Sequence, residues 1–136
     1  MKRLQHVSII IFLNERNEIL LQKKDMLYKR WPGVWCLFGW SINKDETPFN
    51  WLKREIREEI EYNLKMANLY LEYNYIDEVN STYWIINVFE AKFNKCISTI
   101  SLHEGWWFAF FTRDEIKKLA LIDHHEIILN KYFENK

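Results

Sequence analysis

Tight turns, left-handed helix caps and close backbone contacts normally fall on glycine, and this chain of 136 residues has only three: Gly33, Gly39 and Gly105. Pro32 and Pro48 are its prolines. Few positions can therefore bend freely or let a ligand approach the main chain, and their placement constrains both fold and site. The remainder is rich in core-forming residues, with 49% hydrophobic, 28% charged and seven Trp, which excludes a disordered polyelectrolyte or a coiled coil. The length suits one domain spanning 1–136, able to bury a core without disulfide or metal staples.

Charge and cysteine content exclude further classes. Nineteen basic and nineteen acidic side chains cancel, leaving no global pull toward a nucleic acid polymer or an anionic membrane, so any charged site must be local. Cys36 and Cys96 belong to no C-x-x-C pair, which fits two free thiols in a reducing compartment and argues against zinc. Met1-Lys2-Arg3 followed by Val7–Leu13 has the outline of a short signal peptide. Asn14-Glu15-Arg16-Asn17-Glu18 follows where small cleavage-site residues would stand, so the segment reads as a strand. No apolar run is long enough to span a bilayer, and a cytoplasmic protein is expected.

Along the chain, His6–Leu13 and Glu18–Gln22 form a hairpin pattern around the turn residues Asn14–Asn17. A loop from Lys23 to Pro32 leads to a third short strand, Val34–Phe38, ending at Gly39. Thr47 as N-cap and Pro48 at the first helical position start a helix reaching about Tyr62. Leu69–Ile76 and Thr82–Phe93 make a second hairpin, and Trp106–Phe111 one more strand. The tail reads as helices over Arg113–Leu119 and Asp123–Phe133, the second placing Ile127, Ile128 and Tyr132 toward a core, with Leu129 a further candidate. The class is mixed α/β.

The mid-chain helix is the most informative element. At about 100° per residue, Phe49, Leu52, Ile56 and Ile60 form one apolar stripe, and Glu55, Glu58 and Glu59 gather on an arc beside it. Carboxylates at i, i+3 and i+4 repel by a few tenths of a kcal/mol per pair, more when desolvated. Arg54 can hold one of them, whereas a hard divalent cation such as Mg²⁺ would neutralise all three. Taken in isolation, Lys53–Glu59 also reads as an amphipathic helix with internal ion pairs.

Its surroundings settle the weighting. Glu46, seven residues, then Arg54-Glu55-Ile56-Arg57-Glu58-Glu59 resembles, in identity and spacing, the box of the Nudix hydrolase superfamily, with weaker MutT-like similarity over most of the chain. Phe38-Gly39 precedes the box and Glu104-Gly105 precedes a late strand. The resemblance implies a Nudix-like α/β/α sandwich around a mixed β-sheet. Two box glycines are replaced, the first by Trp40 and the helix-closing one by Glu61. A non-glycine residue in the left-handed cap costs on the order of 1 kcal/mol. Glu61 is therefore expected to stay helical, with Asn63 ending the helix later. Trp40 is expected in the loop facing the metal site, where its bulk would reshape or close the phosphate pocket.

The resemblance further implies a metal-dependent pyrophosphohydrolase that uses Mg²⁺ (or Mn²⁺) to cleave the diphosphate linkage of a nucleoside triphosphate or related nucleoside diphosphate-X compound. By position, Glu55, Glu58 and Glu59 would bind metal, with the Gly39 carbonyl a further ligand. Arg54 would orient the glutamates and Glu46 would support the loop. The general base is Glu55 or Glu58 of the box or Glu104 of the later loop, which could also ligate metal; the sequence leaves this open. Lys23, Lys24, Lys29 and Arg30, interleaved with Tyr28, Trp31 and Trp35, offer cations for phosphate and flat faces for a base, with Lys23, Lys24, Trp35 and Trp40 the named substrate contacts. A solvated basic loop anchored by core aromatics is the plainer reading. Trp84, Trp106 and Trp107 read as core, and His124-His125-Glu126 lacks zinc-protease spacing and reads as capping or lining the last helix. The alternatives are a nucleotide-sugar or ADP-ribose type diphosphatase, and a non-catalytic Nudix-like nucleotide-binding module, which the two lost glycines motivate. The partner is a small-molecule nucleotide; family members are often homodimers, but the sequence shows no dimer face.

Overall fold

The computed structural model describes residues 2–23, 33–42, 45–94 and 107–135. Among these, seven strands form one mixed sheet. Strand β1 (Arg3–Leu13) lies at its centre, because its run from Ile9 to Phe12 is fully buried and needs cover on both faces. β6 (Thr82–Lys92) pairs parallel to it along its whole length, from Arg3 opposite Thr82 to Leu13 opposite Lys92. β5 (Asn68–Asp77) pairs antiparallel to β6 and forms the sheet edge. On the other side, β2 (Ile19–Lys23) meets β1 at Ile19 opposite Leu13 and then pairs with β7 (Trp107–Phe111) and β3 (Trp35–Cys36). β4 (Phe38–Ser41) takes the β1 edge that β2 leaves, with Gly39 opposite Ile9 and Trp40 opposite Ser8.

Alternation along β1 divides the core. Ile10 and Phe12 face α1 (Pro48–Ile60), where Leu52, Ile56 and Ile60 are buried. Ile9, Ile11 and Leu13 face α2 (Arg113–Ile116) and α3 (Asp123–Glu134). Each such buried aliphatic side chain contributes on the order of 1.5–3 kcal/mol. The result is the expected α/β/α sandwich.

Four expectations need correction. The third strand is two short ones: the chain changes partner at Leu37, from β2 to β1, so Gly39 and Trp40 lie within a strand and Trp40 is not a loop residue. The second helix of the expected set stops at Ile116 and continues as turns, since only one helical turn follows its capping box at Thr112 and Glu115. On α3 the buried stripe is His125, Ile128, Leu129 and Tyr132, while Ile127 is 41% exposed. Finally, Glu61 does not stay helical: it closes α1 in the left-handed conformation, φ 54° and ψ 34°, with its N–H donating to the Arg57 carbonyl at 3.0 Å. Tyr62 and Leu64, buried against the α1 core, pull the chain out of the helix there.

Glu61→Gly removes the steric cost of that conformation while leaving the fold intact. The urea midpoint should rise, corresponding to a gain of about 0.5–1 kcal/mol; an unchanged or lower midpoint would show that the cap carries no strain.

Candidate active site

The site is built at the corner between β4 and α1, elements that also pack together. Thr47 starts the helix by accepting the Asn50 N–H through Oγ1 at 3.2 Å, with Pro48 at the first helical position. Ser8 on β1 ties this start to the sheet by donating to the Pro48 carbonyl at 2.9 Å. The entry angle of α1, and hence the position of its acidic arc, follows from these bonds and from the buried stripe.

Arg54 organises the arc. Its Nη2 meets Glu46 Oε1 at 2.6 Å, while Nη1 lies 3.3 Å from Glu58 Oε1 and 3.8 Å from Glu55 Oε1. The guanidinium also lies over the Trp51 ring, 4.5 Å from its centroid. The hydrogen bond to Glu46, aided by Glu58, raises the Arg54 pKa above its ordinary value against some desolvation, so the group stays a cation. Glu55 is the most enclosed of the Arg54 partners at 15% side-chain exposure, against 53% for Glu58. Glu59, on the next position of the arc, is half-buried. One cation thus draws together carboxylates that helix spacing alone would set in repulsion.

Gly39 sits where only glycine fits. A Cβ there would stand 2.7 Å from the Ser8 carbonyl oxygen and 2.7 Å from Ile9 Cγ1. The close approach of β4 to β1 thus depends on the missing side chain. Gly33 occupies a left-handed turn at φ 72° before β3.

The donor set suits a hard cation: carboxylate oxygens from Glu55, Glu58 and Glu59 and the Gly39 main-chain carbonyl are the ligand type that Mg²⁺ or Mn²⁺ takes. Among the described residues no three His, Cys, Asp or Glu side chains are set to hold a metal ion together; Glu55 and Glu58 reach Arg54 in this arrangement. Of the other named positions, Lys23 lies over the Trp35 ring at 5.9 Å from the centroid, and Trp35 packs edge-on against Phe111 at 4.9 Å. Lys24, Tyr28, Lys29, Arg30, Trp31, Glu104, Gly105 and Trp106 lie outside the described residues, as do the side chains of Trp40 and Trp107.

Sequence reasoning missed several contacts, at the corner and on α3. Asn87 and His6 pair at 2.6 Å beside Ser8, and the Trp51 ring lies under Arg54 at the i, i+3 spacing of α1. His124 stacks with Tyr75 and Trp84, and His125 accepts a buried main-chain hydrogen bond from Leu37 at 3.0 Å. Apart from Arg54 over Trp51, which are neighbours on one helix, these contacts join segments far apart in the chain, so no local signal marks them.

A mixed sheet between helices, with an arginine-ordered carboxylate arc at a strand-to-helix corner, is the Nudix fold. The Nudix domain family model matches residues 2–133, and the chain belongs to that family. An uncharacterized Nudix hydrolase of Listeria innocua is 32% identical over 82 residues, covering 59% of this chain and 48% of that relative; the match thus spans about half the relative's length. A MutT protein from Methanosarcina mazei Go1 matches with TM-score 0.80 at 21% identity, over 99% of this chain and 97% of the other. The Nudix domain of Shewanella oneidensis NrtR, solved with ADP ribose, matches with TM-score 0.70 at 12% identity, over 99% and 88%. At these identities the two structures establish the fold alone. Among the described residues no helix is long and apolar enough to cross a membrane.

Gly39→Ala forces either the Ser8 carbonyl or the strand to move. A loss of about 1–3 kcal/mol is expected in denaturant unfolding without added metal; a wild-type midpoint would show that β4 can shift freely.

Proposed function

We propose that this chain is a cytoplasmic Nudix pyrophosphohydrolase that cleaves the diphosphate linkage of a nucleoside triphosphate or related nucleoside diphosphate-X compound with Mg²⁺ or Mn²⁺. The observation that carries this reading is the Arg54-centred network, which holds Glu46, just before α1, together with Glu55 and Glu58 on α1, the helix that packs on β4. A helix that served only to cover the sheet would not need its carboxylates gathered on one arc, where they repel.

In this reading Glu55, Glu58 and Glu59 hold the metal together with the Gly39 carbonyl, and Arg54 orients them without touching substrate. A bound divalent ion supplies charge neutralisation and Lewis acidity at the diphosphate. Proton removal from the attacking water falls to Glu55, Glu58 or Glu104. Lys23, with Lys24, supplies positive charge for the outer phosphate, and Trp35 with Trp40 the apolar faces. Glu46 keeps Arg54 in place through the 2.6 Å ion pair.

Glu61 bears on the alternative of a non-catalytic binding module. It adopts the left-handed cap conformation expected of the glycine it replaces, so the helix closes at the box position despite the substitution. That supports a working box. An ADP-ribose type diphosphate is the runner-up substrate, the ligand seen in the Shewanella Nudix domain.

A screen of nucleoside triphosphates, nucleotide sugars and ADP-ribose with Mg²⁺ or Mn²⁺ should yield metal-dependent release of pyrophosphate or a nucleoside monophosphate. Glu58→Gln should lower turnover by roughly 100-fold or more with little change in thermal midpoint. Absence of hydrolysis across the panel by folded protein, with ligand-induced thermal shifts retained, would favour the binding module instead.

A further inference from the structure

We propose that His125 is a positioning residue for the metal-binding corner, acting through the main chain at Leu37; this rests on the functional reading above, in which the Gly39 carbonyl ligates the ion. At Leu37 the chain leaves β2 and joins β1, so neither ladder holds its amide, and the Leu37 N–H donates instead to His125 Nδ1 at 3.0 Å. Both residues are buried, Leu37 at 1% exposure and His125 at 7%. A donor amide requires the lone pair on Nδ1, which places the ring hydrogen on Nε2.

This bond is one of three from the same segment. The Trp35 N–H donates to the Ala120 carbonyl at 2.8 Å, and the Ile122 N–H donates to the Trp35 carbonyl at 3.2 Å, so the start of α3 is stitched to β3 as a short parallel bridge at Leu121. The stretch 120–125 thereby clamps residues 35–37, two positions before Gly39. From Gly39 onward, the close approach to Ser8 and Ile9 takes over. The clamp sets where the strand enters that contact, and the contact sets where the Gly39 carbonyl stands relative to α1.

The choice of side chain points the same way. His125 shares its buried helical stripe with Ile128, Leu129 and Tyr132. An imidazole on such a stripe is unfavourable relative to an aliphatic side chain unless its polar atoms are satisfied. Its ring also meets His124 edge-on at 4.7 Å, and His124 in turn stacks with Trp84 and Tyr75. α3 is thus anchored on both sides of the histidine, and a substitution that removes only the acceptor need not release the helix.

The test compares His125→Leu, which removes the acceptor, with His125→Asn, whose amide oxygen can stand near the Nδ1 position and keep it. Exchange of the Leu37 amide is followed by NMR, binding of Mn²⁺ alone by calorimetry, and kcat and KM with Mg²⁺. In His125→Leu, faster Leu37 exchange should accompany a loss of about 10-fold or more in Mn²⁺ affinity and kcat, the range found when a group behind a metal ligand is removed. KM should move less, and His125→Asn should restore all three. Fast exchange at Leu37 with unchanged Mn²⁺ affinity and kcat would overturn the proposal, as would equal loss in both variants. If His125→Leu does not fold, His125→Asn decides alone: wild-type Mn²⁺ affinity and kcat support the proposal, and their loss overturns it. Unaltered protein that neither binds Mn²⁺ nor hydrolyses any nucleotide would sink the functional reading and this inference together, a result visible before any variant is made.

Discussion

Burial of β1 on both faces is the constraint from which the rest of the structure follows. A strand whose successive residues Ile9, Ile10, Ile11 and Phe12 are all withdrawn from water needs a helical layer on each side and a hydrogen-bonded neighbour along each edge. β6 satisfies one edge along its full length, and β4 and β2 share the other. α1 and α3 then take opposite faces because the side chains of β1 alternate between them. The acidic arc and the C-terminal clamp are both positioned by docking on this one strand.

At the β4–α1 corner, steric and electrostatic demands meet. β4 can lie against β1 only because residue 39 has no side chain. The helix that follows carries acids that would repel, and Arg54 offsets that repulsion by bonding to Glu46 across the corner and to Glu58 one turn along. The same ion pair joins the segment before the helix to the helix itself, so charge compensation and geometry are one interaction. Where glycine is lacking, other residues take left-handed backbone: Asn17 in the first hairpin turn, Ser81 in the second and Glu61 at the end of α1. Asn17 is among the residue types that tolerate this conformation, whereas Glu61 adopts it because the buried Tyr62 and Leu64 beyond it outweigh the local cost.

Much of the fold was legible where the information is local. Thr47 and Pro48 mark the start of α1 because capping acts within one turn, and the apolar stripe Leu52, Ile56 and Ile60 follows from helical period alone. The Arg54 and Glu58 pairing is likewise set by spacing along one helix. Legibility failed wherever two distant segments decide together. Periodicity placed Ile127 inward, whereas the sheet meets α3 on the stripe containing His125. The break between β3 and β4 carries no sequence mark, since a partner change at Leu37 depends on how far β2 diverges from β1.

The sequence by itself carried the box resemblance that implies the Nudix-like class and, apart from the split of the third strand, the order of the main elements; it also fixed the set of carboxylates with their arginine, because side-chain spacing on a single element is a property of the local chain. Tertiary structure alone decided that Glu46 would close on Arg54, that Glu61 would turn left-handed, and that His125 would hold Leu37. Each of those joins groups brought together only after both faces of β1 are covered, when buried polar atoms must find partners and apolar side chains must find space.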